Sequence, residues 1–437
     1  MKILLKNGRV IDPANKIDGN FDLLIENGKI AKIAPNIEAQ GAQVEDVSGK
    51  IVTPGFVETH AHMRDFDEPQ RDTYYTASCS AICGGFTTVC VMPNSVPFVD
   101  TPELVKQVIQ KGKESAVTRI YPFAALTVGR KGEEIVDMKA LVEAGTVAFS
   151  DDGNSIREAT LMRDILEMTK TVDRVCGLHC EDKAYTGKGV VNSGKLAEEM
   201  GLPGISSVAE DVELARNLII QEEIGGHMHI LHLGSERSVE LVRFFRNRGV
   251  KFSCEVIPHQ FSRTEEIVKK QGVLAKVKPP FRGQKDVDGM RAGLRDKLVD
   301  TIASDHCPYS PEEISKGITG TPLFGISGFE TTLPLVLDQV RAGVADLSFV
   351  IACLTANPAR IMRLHGRGTL SVGADADLNV IDMDREWIVR REDFNTKGLN
   401  NPYIGETMKG KVELSMIGGE IVCRDWKVLK QVEKPVK

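Results

Sequence analysis

The sequence has no long hydrophobic run. None of its apolar stretches approaches the roughly 18 to 20 residues that a membrane-spanning helix needs. At the N-terminus, the residues Lys6, Asn7 and Gly8 interrupt the apolar stretch before a signal-peptide core can form. We therefore expect a cytoplasmic protein that does not associate with a membrane.

The sequence also has no basic stripe. Its 55 Lys and Arg residues against 61 Asp and Glu residues give a net charge of −6. A nucleic-acid-binding protein neutralises phosphates with clustered Lys and Arg, so a nucleic-acid partner is not expected. A composition of 42% hydrophobic and 27% charged residues is that of a folded globular chain and excludes a disordered one.

The nine cysteines are an odd number and form no Cys-x-x-Cys pair. This pattern excludes the disulfide framework of a small secreted domain. We expect these thiols to be buried or half-buried. No internal repeat and no low-complexity tract is present.

Both ends of the chain are typical of short strands joined by tight turns. Asn7-Gly8 and Asn27-Gly28 each separate two apolar runs, which is the strongest local signal for a β-hairpin. Gly418-Gly419 marks a similar turn near the C-terminus. Because chain ends tend to lie close together, we predict one small β-sandwich-like domain composed of residues 1–52 and 370–437.

The middle of the chain alternates short apolar runs with helical segments, a pattern that favours an α/β fold with a (β/α)₈ TIM-type barrel. We predict this barrel over residues 53–369 of the 437. Eight runs are candidates for its strands: Phe56–Thr59, Thr87–Met92, Ile120–Leu126, Thr146–Phe149, Arg174–Leu178, Met228–Leu233, Val250–Ile257 and Val299–Ala303.

Two intervening helices have clear start signals. Thr101 and Pro102 predict a capped start, followed by an apolar face formed by Leu104, Val105, Val108 and Ile109. Ser207-x-x-Glu210 predicts a capping box, followed by an apolar face formed by Val208, Val212, Ala215 and Ile219.

His60-Ala61-His62 follows the first predicted barrel strand. Residues two apart on a strand point to the same side, so the two imidazoles can share a metal ion. An isolated His-x-His pair more often packs or faces solvent. Here, however, other predicted strands also end in an Asp or a His, and functional groups of this fold gather at the carboxyl ends of strands. These residues are Asp151, Asp152, His179, His232 and Asp305. Together they predict a metal site.

The remaining histidines are not assigned to the metal. His227 and His229 precede or begin their strand and are interpreted as structural or surface residues. His259 follows Pro258 near the same rim, but it stays outside the set of direct ligands. His306 would point away from Asp305 if the strand continues.

Several motifs resemble those of the amidohydrolase superfamily and, within it, the dihydroorotase family. They follow the order found in that family and cover most of the chain. The matching segments are Pro54–Arg64, Gly84–Val89, Met92–Asn94, Ser150–Gly153, Pro279–Arg282, Ser304–Pro308, Phe324–Glu330, Asn357–Ala359 and Gly373–Leu378.

The resemblance implies one or two Zn²⁺ ions per chain. One metal would be held by His60, His62, Asp152 and Asp305, and a second by Asp152, His179 and His232. Related hydantoinases and allantoinases bridge two metals with a carbamylated lysine from the fourth strand. Here the fourth strand ends in Asp151-Asp152, which resembles the dihydroorotases with an aspartate in that place. Asp152 is the better candidate for this bridge, and Asp151 the lesser.

The resemblance also implies a reaction: the reversible interconversion of L-dihydroorotate and N-carbamoyl-L-aspartate in de novo pyrimidine (UMP) biosynthesis. A metal-activated hydroxide would attack the ring amide, and Asp305 would act as the catalytic residue that transfers the proton. Arg64 and Asn94 resemble the family's ligands for the substrate carboxylate.

Two positions depart from the family pattern. Tyr309 stands where the family usually has a histidine, and Lys278 stands where it usually has an asparagine. Together with Phe324 and Gly325, they complete the predicted substrate-binding residues. Their departure keeps open another cyclic amidohydrolase, similar to a hydantoinase or an allantoinase.

A rival of a different class is a non-catalytic scaffold for aspartate transcarbamoylase. Such a scaffold would be free to lose its metal ligands, whereas all six candidates are present. The sequence is compatible with a homodimer and with association of an active enzyme with aspartate transcarbamoylase.

Overall fold

A computed structural model describes residues 2–430 and residue 432. The chain begins with five strands: β1 (Lys2–Asp12), β2 (Ile17–Glu26), β3 (Lys29–Ala34), β4 (Gln43–Asp46) and β5 (Ile51–Pro54). The Asn27-Gly28 turn has positive φ at both residues and joins β2 to β3 as the predicted antiparallel hairpin. The predicted hairpin at Asn7-Gly8 is wrong, because both residues lie inside the long strand β1, where they make an irregularity in its pairing with β2.

The next ten strands belong to the middle of the chain. They are β6 (Phe56–Ala61), β7 (Phe86–Val91), β8 (Arg119–Ala124), β9 (Ala148–Ser150), β10 (Cys176–Leu178), the short pair β11 (Val191–Asn192) and β12 (Gly204–Ile205), then β13 (Met228–Ile230), β14 (Ser253–Val256) and β15 (Thr301–Ile302).

The last strands return to the β domain. They are β16 (Leu378–Ile388), β17 (Thr407–Ile417), β18 (Glu420–Arg424) and β19 (Lys427–Val428). Strand β16 pairs with β5 and thereby joins the two chain ends in one nine-stranded sheet, in the order β19-β18-β17-β16-β5-β1-β2-β3, with β4 on β1. This arrangement confirms the predicted strand-rich unit built from both termini. The exact boundaries of this unit stay a prediction. Strand β5 of its sheet ends at Pro54, two residues beyond the predicted boundary at residue 52.

Sixteen α-helices lie in the described part of the chain, most of them between the barrel strands. They are α1 (Tyr74–Cys83), α2 (Pro102–Ser115), α3 (Met138–Ala144), α4 (Ala159–Val172), α5 (Lys183–Thr186), α6 (Lys195–Met200), α7 (Val208–Ile224), α8 (Glu236–Asn247), α9 (Pro258–Ser262), α10 (Ile267–Gln271), α11 (Gln284–Arg295), α12 (Pro311–Ser315), α13 (Gly317–Gly320), α14 (Phe329–Arg341), α15 (Leu347–Leu354) and α16 (Ala356–Ile361).

Eight parallel strands form the predicted barrel, in the order β15-β14-β13-β10-β9-β8-β7-β6. The backbone N–H of His62 donates to the carbonyl of His306 at 2.8 Å, and a parallel bridge links Ala61 to His306, so the first and last strands nearly close the ring. The carboxyl ends of all eight strands therefore face one rim.

The passage from the terminal sheet into the barrel needs a glycine. Gly55 separates β5 from β6, and a Cβ there would lie 2.1 Å from Oγ1 of Thr87. Beyond this point, a continuous apolar core includes Phe56, Phe86 and Phe329, whose rings pack at 5.3–5.7 Å.

The two predicted helix starts had different outcomes. Thr101 caps α2 by accepting from the backbone N–H of Leu104, and Val105 and Val108 are buried, as predicted. The capping box at the start of α7 is wrong, because the Ser207 side chain makes no cap hydrogen bond. The partner assigned to it, Glu210, instead accepts from the backbone N–H of Gly234 at 2.8 Å.

The predicted buried face of α7 is also wrong. Val212 is 45% exposed and Ile219 is 59% exposed. The helix instead buries Glu210, Asp211 and Glu213 together with the apolar Leu214 and Leu218. These carboxylates bond to neighbouring loops, so the buried face of the helix carries acidic side chains as well as leucines.

All nine cysteines are buried and free, which confirms the predicted buried thiols. In the described part of the chain, no helix is both long and apolar enough to cross a membrane.

Candidate active site

All six predicted metal ligands lie at the carboxyl ends of barrel strands. They come from β6, β9, β10, β13 and β15 or from the residues just after them, and each is less than a tenth exposed: His60, His62, Asp152, His179, His232 and Asp305. The backbone of His232 and Asp305 has positive φ, a conformation that is uncommon for residues other than glycine and that clusters at functional sites.

The first group of side chains surrounds His60 and His62. Nε2 of His60 lies 3.4 Å from Oδ1 of Asp305 and 3.5 Å from Oδ1 of Asp152. Nε2 of His62 lies 3.2 Å from Oδ1 of Asp305 and 3.5 Å from Oδ2 of Asp152. The ligand atoms of His60, His62 and Asp305 all lie within 4.8 Å of one another, and those of His60, Asp152 and His232 form a second such set.

The second group lies on the other side of Asp152. Nδ1 of His179 is 2.8 Å from Nε2 of His232 and 3.5 Å from Oδ1 of Asp152. Nε2 of His232 is 3.7 Å from the same carboxylate oxygen. Asp152 therefore lies between the two groups, whereas Asp151 turns away and accepts from the backbone N–H of Leu126 at 2.9 Å.

Three side chains hold His60 and His62 in place, two of them through the imidazole rings and one through the backbone. Glu255 accepts from Nδ1 of His60 at 2.7 Å, and Asn94 accepts from Nδ1 of His62 at 2.8 Å. Both bonds leave Nε2 free to face the centre. Glu58 accepts from the backbone N–H groups of His60 and Ser304 at 2.8 and 2.9 Å, and so connects the first strand to the last.

The electrostatics follow from burial and close opposite charges. Burial lowers the pKa of His60, but the carboxylates of Asp305, Glu255 and Asp152 outweigh it and hold the pKa well above its usual value. Burial raises the pKa of Asp152, but His60, His179 and His232 outweigh it and hold the pKa well below its usual value. Glu58 lies in the barrel wall, where burial raises its pKa to about 8.

A cavity of about 260 Å³ opens above these groups. It brings together the predicted ligands other than His60 with five of the six predicted substrate-binding residues: Arg64, Asn94, Lys278, Tyr309 and Phe324. The sixth, Gly325, does not line the cavity. It packs behind Phe324, where a Cβ would lie 2.5 Å from Cβ of Cys307.

Arg64 is the buried guanidinium of this cavity. Its NH2 group lies 2.9 Å from Sγ of Cys307, and NH1 lies 3.9 Å from Glu68. The Tyr309 hydroxyl lies 3.3 Å from the same sulfur and donates to the carbonyl of Phe324. Tyr309 thus fixes the loop at one side of the cavity and packs beside the sulfur that Arg64 contacts.

Lys278 contacts an acidic residue that the sequence patterns did not single out. Its Nζ lies 2.9 Å from Oε1 of Glu181 and 4.6 Å from the centre of the Phe324 ring. The other carboxylate oxygen of Glu181 lies 3.5 Å from Nε2 of His179.

The other histidines remain outside the two groups. His229 is buried and contacts Ser253 and Glu255, and His227 contacts Asp173. The ring of His306 stacks on Phe329 at 4.1 Å, which directs it away from the cavity. His259 packs on Phe281 at 5.2 Å, and burial lowers its pKa to about 4.

Sequence reasoning missed Glu58, Glu255, Glu181 and Cys307. For Glu255 and Glu58 a signal was present, because a carboxylate inside an otherwise apolar strand is costly to bury unless it is bonded. Glu181 and Cys307 each lie two residues after a predicted ligand and carry no comparable signal.

The barrel, the terminal sheet and the His/Asp centre at the carboxyl rim define an amidohydrolase. A family model described as "Dihydro-orotase-like" matches residues 49–238, and one described as "Amidohydrolase family" matches residues 338–423.

Curated relatives resolve the class further. The chain is 39% identical to a dihydroorotase of Syntrophus aciditrophicus, with 97% of this chain and 100% of that protein covered. It is 38% identical to a dihydroorotase of Aquifex aeolicus, with the same coverage. The chain belongs to the dihydroorotase family.

Solved structures agree on the fold. An L-hydantoinase (dihydropyrimidinase) from Arthrobacter aurescens superimposes with a TM-score of 0.87 at 25% identity, covering 98% of this chain and 97% of that one. A D-hydantoinase structure gives a TM-score of 0.86 at 21% identity, covering 99% of this chain and 97% of that one.

Proposed function

We propose that this protein is a dihydroorotase that interconverts L-dihydroorotate and N-carbamoyl-L-aspartate in de novo pyrimidine biosynthesis. The observation that carries the proposal is one small cavity in which a buried guanidinium, Arg64, faces the same space as a buried His/Asp centre. A cyclic amide that bears a carboxylate fits this combination of groups. The full-length similarity to dihydroorotases supports it.

The residues at the centre suit a metal ion. Nε2 of His60 has no hydrogen-bond partner among the described residues, although it is fully buried between two carboxylates. Burying such a polar atom without a partner is costly, and a cation there would satisfy it. We assign His60, His62, Asp152 and Asp305 to one metal position, and Asp152, His179 and His232 to a second. Imidazole and carboxylate donors make Zn²⁺ our proposed ion.

A metal ion at this centre supplies Lewis-acid polarisation of the substrate carbonyl and lowers the pKa of a water molecule. The protein supplies the proton transfers. A carboxylate oxygen of Asp305 accepts the proton of the attacking water and passes it to the ring nitrogen as the amide bond breaks. In the direction of ring closure, the same carboxylate moves the proton the opposite way.

Arg64 and Asn94 form the proposed binding site for the substrate carboxylate. The planar guanidinium of Arg64 can donate two parallel hydrogen bonds to a carboxylate. The amide nitrogen of Asn94 is available for the same group, because its oxygen is already bonded to His62. Tyr309 and Phe324 border the substrate, and Gly325 allows the Phe324 loop to approach Cys307 closely.

An assay of purified protein tests the proposal. Turnover is measured with L-dihydroorotate, hydantoin and allantoin, and bound metal is quantified on the same samples. We expect turnover of L-dihydroorotate by metal-containing protein. Turnover of hydantoin or allantoin without L-dihydroorotate would contradict the proposal, and turnover of none of them would favour the non-catalytic scaffold.

Cytoplasmic location, homodimer formation and association with aspartate transcarbamoylase stay predictions of the sequence.

A further inference from the structure

Lys278 departs from the family pattern, and its contacts suggest why. Its side chain lines the cavity, yet its ammonium group is paired with Glu181 at 2.9 Å. Glu181 is only 5% exposed, so its carboxylate lies in the wall of the site and does not face bulk solvent. A buried carboxylate requires a partner to remain charged, and Lys278 is the cation beside it.

Glu181 in turn faces the imidazole of His179. One carboxylate oxygen contacts Lys278, and the other lies 3.5 Å from Nε2 of His179. The opposite nitrogen of that ring, Nδ1, faces Asp152 and His232. A carboxylate behind a ligating histidine fixes the ring orientation and raises its basicity.

The backbone holds Glu181 in place independently of Lys278. Its N–H donates to Glu213 at 2.9 Å, and its carbonyl accepts from the Ser155 hydroxyl. Removal of the Lys278 ammonium would therefore free the Glu181 carboxylate to turn away from His179 while its backbone stays in place.

We propose that Lys278 is a positioning residue that acts through Glu181 on His179, and so sets the affinity of the second metal position, instead of serving as a ligand for the substrate. This inference rests on the proposed function. In this arrangement the Lys278 ammonium pairs with Glu181, and Arg64 is the cation that binds the substrate carboxylate.

A double-mutant cycle tests the coupling. Zinc affinity is measured without substrate for the wild type, Lys278→Met, Glu181→Gln and the double variant. Each single change is expected to lower the zinc affinity of the second metal position by about tenfold, the lower end for partners of ligating histidines. The double variant is expected to lose no more zinc affinity than the single variant with the larger loss. Lys278→Arg keeps the positive charge and is expected to retain most of the wild-type zinc affinity.

Lys276 offers a matched control. Its Nζ also lies over the Phe324 ring, at 4.4 Å, but it donates to the carbonyl of Thr321 and not to Glu181. Lys276→Met removes the same type of contact with Phe324 and should leave zinc affinity unchanged. If Lys278→Met fails to fold, Lys278→Gln provides a milder change that keeps a hydrogen-bond donor toward Glu181.

Kinetics at saturating zinc supply the second readout. We expect KM for L-dihydroorotate to be unchanged in Lys278→Met once zinc is saturating. A raised KM with unchanged zinc affinity, or additive zinc losses in the cycle, would overturn the proposal. Failure of the wild type to turn over L-dihydroorotate would instead refute the proposed function, because the zinc measurements need no substrate.

Discussion

Replacement of Glu255 by glutamine probes how the protein holds its metal. Glu255 is fully buried on β14 and receives hydrogen bonds from four groups of the site. They are Nδ1 of His60 at 2.7 Å, the Thr59 hydroxyl at 3.0 Å, the His232 backbone N–H at 3.2 Å and Nε2 of His229 at 3.3 Å. The Glu255→Gln change keeps the size of the side chain but removes its charge and one acceptor oxygen.

The expected effect is a loss of metal affinity. Partners behind ligating histidines typically contribute 10- to 100-fold, which corresponds to about 1.4 to 2.8 kcal/mol of binding free energy. We expect a loss of metal affinity in the upper half of this range, because the bond to His60 is short and involves a fully buried charge. Zinc affinity is measured by competition with a chromophoric chelator, and circular dichroism checks the fold.

Glu330→Gln is the matched control, since Glu330 is a buried glutamate that bonds none of the six candidate ligands. Its zinc affinity should equal that of the wild type. Wild-type zinc affinity in Glu255→Gln would refute the reasoning, because the orientation of His60 would then not depend on its carboxylate partner.

Three further predictions concern Asp305 and His60 in the site and Glu330 outside it. Asp305→Asn should retain most of its metal, because His60, His62 and Asp152 remain, but should lose about 10²- to 10⁴-fold in turnover as the proton acceptor disappears; near-normal activity would remove that role from Asp305. His60→Ala should lose metal and activity together, and elemental analysis showing unchanged metal content would exclude it as a ligand. Glu330→Gln should alter the pH dependence of stability, since burial raises the pKa of Glu330 from 4.5 to about 7. Between these two pH values the folded wild type retains a proton that the unfolded chain has lost, so its stability falls as pH rises. Glutamine has no carboxyl group to titrate. The free energy of unfolding of the variant, relative to that of the wild type, should therefore rise across that interval by up to about 3 kcal/mol. Urea unfolding of both proteins at several pH values checks this, and a constant difference would contradict it.

The barrel and the convergence of the six candidate metal ligands could be predicted because they depend on local patterns. The period of two along a strand places His60 and His62 on one side, and the rule that barrel strands end at one rim brings in Asp152, His179, His232 and Asp305. The structure brings all six together, as the distances around Asp152 and Asp305 show.

The supporting carboxylates could not be predicted in the same way. Glu255 reaches from β14 to His60 on β6, and this contact exists only because the barrel closes. The failure on α7 has a related cause. Glu210 and Glu213 are buried because backbone N–H groups of neighbouring loops bond them, so the helix orientation depends on tertiary hydrogen bonds that hydrophobic periodicity does not contain.

The sequence pattern predicts substrate contacts for Tyr309 and Lys278, the two residues that depart from the family. The structure gives each a partner within the protein: Tyr309 bonds the Phe324 carbonyl, and Lys278 pairs with Glu181. Loops that follow different strands determine which side chains meet across a cavity. The spacing of residues within one motif does not contain this information.

The most direct test of the account is the rate of L-dihydroorotate turnover as a function of zinc bound per chain. The protein is stripped with a chelator and reloaded stepwise, and N-carbamoyl-L-aspartate formation is followed at each loading. We predict no turnover in the stripped protein and a rate that rises with bound zinc until the His/Asp centre is filled. Undiminished turnover without bound metal, or no turnover at any loading, would contradict the account.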